Sequence, residues 1–162
     1  MFCDIVIMDG NEEIKKFGEY LGFDKIFFRE DIEKLNLKEA NEYTEARKLV
    51  EGGKVKILLN PHLFGRKNSY SFDRPGLDHI ICKAANKNNI YIAFSLNKIN
   101  SSKEMKWIMD SIKLCRKYKV KILFFSFAEH NYGMVGRTDF LSLLRILGMT
   151  GGEAKTALSF IN

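Results

Sequence analysis

The chain has 162 residues, 46% of them hydrophobic and 28% charged, with a formal net charge of +6. That length suggests one domain with a core of its own, so folding needs no disulfide framework and no structural metal. No apolar stretch approaches the ~20 residues that span a bilayer, and "MFCDIVIMDG" has an aspartate in its apolar run and no basic leader, so it does not read as a signal peptide.

The predicted elements alternate strand and helix. "FCDIVIM" (2–8) reads as a strand, and Asn11 can cap a helix whose apolar positions Ile14, Phe17 and Leu21 lead to Gly22. "KIFF" (25–28) is a second strand. A polar link follows, then a helix from Lys38 to Glu51 that Gly52-Gly53 ends. "VKILLN" (55–60) is a third strand, and 61–75 a long loop. Pro75 suits the first turn of a helix with Leu77, Ile80, Ile81, Ala84 and Ala85 on one face. "IYIAFSL" (90–96) is a fourth strand. Ser101 and Glu104 form a capping box for a helix presenting Met105, Ile108, Met109, Ile112 and Cys115. "VKILFFSF" (120–127) is a fifth strand. A helix over 138–147 follows, closed by Gly148, and Thr150 with Glu153 caps a last one. Repeated β-α units imply a mainly parallel sheet covered by helices, and the near-continuous apolar strands fit burial on both faces.

Charge is uneven along the chain. Residues 1–46 hold 6 Lys+Arg and 12 Asp+Glu, residues 47–90 hold 9 and 3, and residues 91–162 hold 11 and 5. A basic region of this size attracts polyanions through counterion release. Parallel sheets place function in the loops after their strands. Here those loops carry Asp9, Arg29, His62, Arg66, Lys67, Arg74, Asn97, Lys98, Glu129, His130 and Arg137, with cations in the majority. Cys3, Cys82 and Cys115 form no C-x-x-C pair and read as reduced, buried thiols of a cytoplasmic protein.

No constellation of catalytic side chains is visible. There is no H-x-H, no H-E-x-x-H, no G-x-S-x-G elbow, no G-x-G-x-x-G after the first strand and no lysine-bearing phosphate loop. A metal set of Asp9, His62, Glu129 and His130 could converge at the strand ends, so a metal-dependent phosphoesterase stays open as an alternative. So does a plain interaction module.

Three stretches resemble a known family. "ILLNP" (57–61), "GLDH" (76–79) and "NKNNIYIAFSL" (86–96) follow the central pattern of ribonuclease P protein component 3. "RTDFLSLLRILGMTGGEAKTALS" (137–159) is similar to that family's close, and "FCDIVI" (2–7) to its opening strand. The resemblance implies a TIM-barrel-like β/α repeat related to the metal-dependent phosphoesterase barrels but without their metal ligands. With five readable strands, and fewer residues than the ~200 of a full barrel, residues 1–162 read as one shortened or incomplete barrel domain. The shortfall lies between Arg29 and Val55, and "FSFAEHN" replaces a small turn of the family.

The resemblance further implies a subunit of the ribonucleoprotein that removes the 5′ leader of precursor tRNA. Its RNA subunit carries the catalytic magnesium, so this chain binds no cofactor and is inactive alone. The expected partners are ribonuclease P RNA, the small protein component 2 in a hetero-oligomer, and precursor tRNA indirectly, with no membrane. The residues expected to meet RNA or a partner are His62, Arg66, Lys67, Arg74, His79, Lys83, Lys87 and Arg137, with the lysines of 103–121 as a second candidate surface. Arg74, His79 and Lys83 are expected to surround the free N–H groups of a helix start as a corner for phosphate.

Overall fold

The computed structural model describes residues 1–64 and 75–160. Six strands alternate with six helices there: β1 (Cys3–Ile5), α1 (Glu12–Tyr20), β2 (Lys25–Phe27), β3 (Leu37–Glu39), α2 (Tyr43–Glu51), β4 (Ile57–Leu59), α3 (His79–Lys87), β5 (Tyr91–Ser95), α4 (Ser102–Lys117), β6 (Ile122–Phe125), α5 (Arg137–Ile146) and α6 (Gly151–Ala157). All strand pairs are parallel, with β1 beside β2 and β3-β4-β5-β6 in order. A bridge between Val6 and Ala128 joins the two sets. The order is therefore β2-β1-β6-β5-β4-β3, an incomplete barrel whose open edges are β2 and β3.

The strands bury both faces, except that β3 leaves Lys38 and Glu39 exposed. Cys3, Ile5, Phe27, Leu37, Ile57, Leu59, Ala93, Leu123 and Phe125 share an inner core with Phe160. Their alternates Val6, Ile26, Leu58, Ile92, Phe94 and Phe124 meet the helices in an outer core. Phe160 plugs the end where the strands begin, its ring centroid 6.4 Å from Phe27 and 5.6 Å from Tyr91. At the opposite end, the Asn60 amide donates to the Glu39 carboxylate at 3.0 Å and to Ser95 Oγ at 2.9 Å, tying three strand ends together.

The capping signals act as their chemistry requires. Asn11 accepts the Ile14 N–H at 2.8 Å, and Thr150 and Glu153 form a reciprocal box. Gly18 of α1 is where that helix approaches β2, since a Cβ there would lie 2.4 Å from Ile26 Cγ1. Ser101 accepts the Glu104 N–H, while Glu104 accepts from Asn100, so that box is only half formed. Arg116 of α4 clamps Glu153 through two hydrogen bonds of 2.7 and 2.8 Å and holds its carboxyl down at about 2.

Two expected elements differ. The helix predicted from Lys38 begins at Tyr43, because residues 37–39 form β3 against β4, with Leu37 opposite Ile57. The helix expected to begin near Pro75 starts at His79, with Asp78 as its cap.

Candidate nucleic-acid interface

Asp78 fills the corner expected for phosphate. Its Oδ1 accepts the Ile80 and Ile81 N–H groups at 3.0 Å each, and its Oδ2 accepts the Tyr43 hydroxyl at 2.8 Å. The helix start is satisfied by the chain's own carboxylate, so it offers no free anion site. His79 is exposed at the first helical position.

His62 is not on the rim. It sits in a one-turn helix after β4 (Pro61–Leu63), fully buried, with its ring 5.2 Å from that of Phe94. Among the described residues neither ring nitrogen has a hydrogen-bond partner, and burial pushes its pKa down to about 4. His62 is therefore a neutral core residue in this fold. Because the unfolded chain's histidine protonates near 6.5, the fold should lose about 3 kcal/mol through this group as pH falls from 6.5 through 4. His62→Phe should be at least as stable as the parent at pH 7 and should resist acid better. An unchanged acid-unfolding midpoint would refute this.

Arg66, Lys67 and Arg74 lie outside the described residues. Arg137, at the start of α5, stacks its guanidinium 4.8 Å from the Phe2 ring centroid, and its backbone N–H donates to the Leu21 carbonyl. That placement ties α5 to the start of the chain. Asp9, His62, Glu129 and His130 do not come together, and among the described residues no three His, Cys, Asp or Glu side chains are grouped to hold a metal.

A cationic surface does form, at the end of the barrel where the strands begin. α3 and α4 run side by side and end alike. Asn89 and Lys119 adopt left-handed φ values of 53° and 56°, and the N–H groups of Ile90 and Val120 reach back to the carbonyls of Ala85 and Cys115. Lys83 and Lys117 both place their ammonium groups over Tyr118, 5.9 and 5.7 Å from its centroid. The Asn86 amide donates to the Tyr118 carbonyl at 2.7 Å and locks the two helix ends together. Lys87, Lys119 and Lys121 are exposed beside them. Of the residues expected to bind, Lys83 and Lys87 belong to this surface. Lys117, Tyr118 and Lys119 complete it. Their sequence signal is a run of lysines between a helix and a strand, and only the parallel packing of α3 on α4 brings them to the first pair.

Among the described residues no helix is long and apolar enough to cross a membrane. No family model matches this sequence. The chain is 33% identical over 119 residues to ribonuclease P protein component 3 of Methanococcoides burtonii, covering 70% of this chain and 46% of that protein. It is 32% identical over 120 residues to component 3 of Thermococcus kodakarensis, covering 70% and 51%. It thus spans about half the length of the curated relatives it matches. Its fold is similar to that of a chain in the cryo-EM structure of archaeal ribonuclease P with mature tRNA, with a TM-score of 0.65 and 21% identity over 96% of this chain and 76% of that one. Over the stretch it shares with them, the chain is similar to ribonuclease P protein component 3 of three archaea at 31–33% identity.

Proposed function

We propose that this chain is a protein subunit of ribonuclease P, the ribonucleoprotein that removes the 5′ leader of precursor tRNA. The magnesium-dependent cleavage belongs to the RNA subunit. This chain binds no cofactor of its own, supports the folded RNA, and pairs with the small component 2 in the cytoplasm. Beyond the similarity to these relatives, the observation that carries this reading is the exposed cationic surface of Lys83, Lys87, Lys117, Lys119 and Lys121. Folded RNA is held largely through phosphate and shape, which such a surface suits. His79, Arg66, Lys67, Arg74 and Arg137 are assigned to the same RNA- or partner-binding role, with His62 supporting the fold beneath.

The experiment is a salt titration with ribonuclease P RNA. Each neutralised phosphate steepens the fall of log affinity with log salt. Replacing Lys83, Lys87, Lys117 and Lys119 together by alanine should reduce the slope by about three. The pure chain with precursor tRNA and magnesium should give no 5′ cleavage. An unchanged slope, or cleavage without RNA, would overturn the proposal.

A further inference from the structure

The other end of the barrel carries a different kind of surface. After β6 the chain turns through a one-turn helix (Asn131–Gly133) that sets His130 and Tyr132 side by side. Their rings stack, with centroids 5.1 Å apart and planes 21° apart. Tyr132 is 83% exposed. The turn is held from within. Asn131 Oδ1 accepts the Tyr132 N–H at 2.9 Å, the Gly133 N–H donates to the His130 carbonyl at 2.9 Å, and Met134 anchors the segment in the core. An exposed aromatic pair is thus fixed in place rather than left to fold back onto the surface.

This pair is a ridge between two clefts. A cleft of about 550 Å³ lies on one side, walled by Met8, Ile14 and Phe17 and edged by Asn11 and Lys16. A second, of about 430 Å³, lies on the other, lined by Leu96, Asn97, Lys98 and Gly133. His130 and Tyr132 line both. Each cleft therefore offers an aromatic face, an asparagine amide and one lysine.

We propose that the His130–Tyr132 stack is a platform for unpaired nucleobases, and that single-stranded RNA crosses it from one cleft to the other. Base–aromatic stacking tolerates any sequence because every base has a π-face, and the lysines at either side suit the phosphates that lead to and from a stacked base. Asn11 accepts the Ile14 N–H and Asn97 donates to the Phe127 carbonyl, which leaves the Asn11 amino group to donate to a base edge and the Asn97 oxygen to accept from one. Glu13 lines the first cleft and Glu129 lines both. These carboxylates repel phosphate and can accept from exocyclic amino groups, which favours bases beside them and the backbone at the lysines. A paired duplex keeps its bases stacked inside and cannot use such a ridge. A small molecule would need enclosure that an open ridge does not give.

This inference rests on the RNA-binding reading above but uses the opposite end of the barrel, so the two can fail separately. The probe is a ten-nucleotide single-stranded RNA carrying one 2-aminopurine. Binding to the parent chain should change the 2-aminopurine emission. Tyr132→Ala should bind about tenfold more weakly, with an unchanged melting temperature because the ring is exposed. Tyr132→Phe should keep the parent affinity, and the same sequence as a duplex should not compete. The lysine variant described above should retain the emission change. Equal oligonucleotide affinity of Tyr132→Ala and parent would overturn the platform alone. Failure of the parent to bind either the oligonucleotide or ribonuclease P RNA would overturn both readings. Loss of component 2 binding in Tyr132→Ala, with RNA binding intact, would make the ridge a protein contact and also end the proposal.

Discussion

Asp4→Asn should make the protein more stable at pH 7.5 and leave it unchanged at pH 3.5, while Asp4→Ala should cost about 3 kcal/mol. Asp4 lies in β1, fully buried, and fastens β1 to the end of β6. Its Oδ1 accepts the Ser126 N–H at 2.6 Å and the Ile5 N–H at 2.9 Å, and its Oδ2 accepts the Ser126 hydroxyl at 2.5 Å. Ser126 Oγ in turn accepts the Ala128 N–H at 3.2 Å, beside the bridge that joins the two sets of strands. Burial outweighs these donors and pushes the Asp4 pKa up to about 6.

The sign follows from linkage. A folded pKa above the unfolded value of 3.8 means that the fold disfavours the ionised carboxylate. The penalty is absent below 3.8, grows as pH rises through 6, and levels at about 3 kcal/mol. Asparagine keeps an oxygen for the two N–H groups and donates its amide to Ser126 Oγ, whose hydroxyl turns its own proton to the Ile5 carbonyl 3.4 Å away, so the partners are satisfied without the charge. Alanine removes the acceptor and leaves buried N–H groups unpaired. His62 runs the other way, losing stability as pH falls from 6.5 through about 4. In the parent the two groups oppose each other between pH 4 and 6. Asp4→Asn should therefore expose the His62 acid limb, and urea midpoints at pH 7.5, 5 and 3.5 would display it. A variant less stable than the parent at pH 7.5 would show that the carboxylate's hydrogen bonds outweigh its burial.

The opposition of two buried groups is invisible in the sequence, where Asp4 interrupts an apolar run and His62 sits in a polar loop. Elements with strong local signals were legible. Asn11, Ser101 and Thr150 mark their helices by side-chain chemistry, and the apolar strands at 57–59 and 122–125 by composition. β3 was not, because "LKEANEYTEARKLVE" is rich in helix formers throughout. Residues 37–39 become a strand through the pairing of Leu37 with Ile57 and its place in the inner core, a tertiary contact that overrides propensity. The candidate site was legible by residue type more than by place. Lys83 and Lys87 stand out as cations in the sequence, but the surface they join depends on α3 packing against α4. At "GLDH" attention falls on the histidine, which is exposed, whereas Asp78 is buried and follows the ordinary preference for aspartate at a helix cap.

The glycine of that motif leads to the second large effect. Gly76→Ala should destabilise the protein by about 3 kcal/mol, a fall of about 6–12 °C in melting temperature for a chain of this size. A Cβ on Gly76 would lie 2.3 Å from the Phe64 carbonyl oxygen and 2.7 Å from that of Pro61. Both obstacles are backbone, so no rotamer change relieves them. The Gly76 N–H also donates to the His62 carbonyl at 3.2 Å, which fixes the approach from the other side. Relief requires moving either the buried turn over Pro61–Leu63, which carries His62 into the outer core, or the start of α3, which carries the Asp78 cap and its bond to Tyr43. The glycine is needed for closeness, and its φ lies outside the left-handed set. Gly152→Ala is the matched control. It sits inside α6 with nothing within 4 Å of the added Cβ, so the better helix former should add up to about 1 kcal/mol. Parallel melts of the two variants separate steric approach from helix propensity. A Gly76→Ala protein melting within a degree of the parent would mean that the turn after β4 and the start of α3 can part without cost. In that case the "GLDH" segment would not be the clasp that seats α3, and with it Lys83 and Lys87, on the barrel.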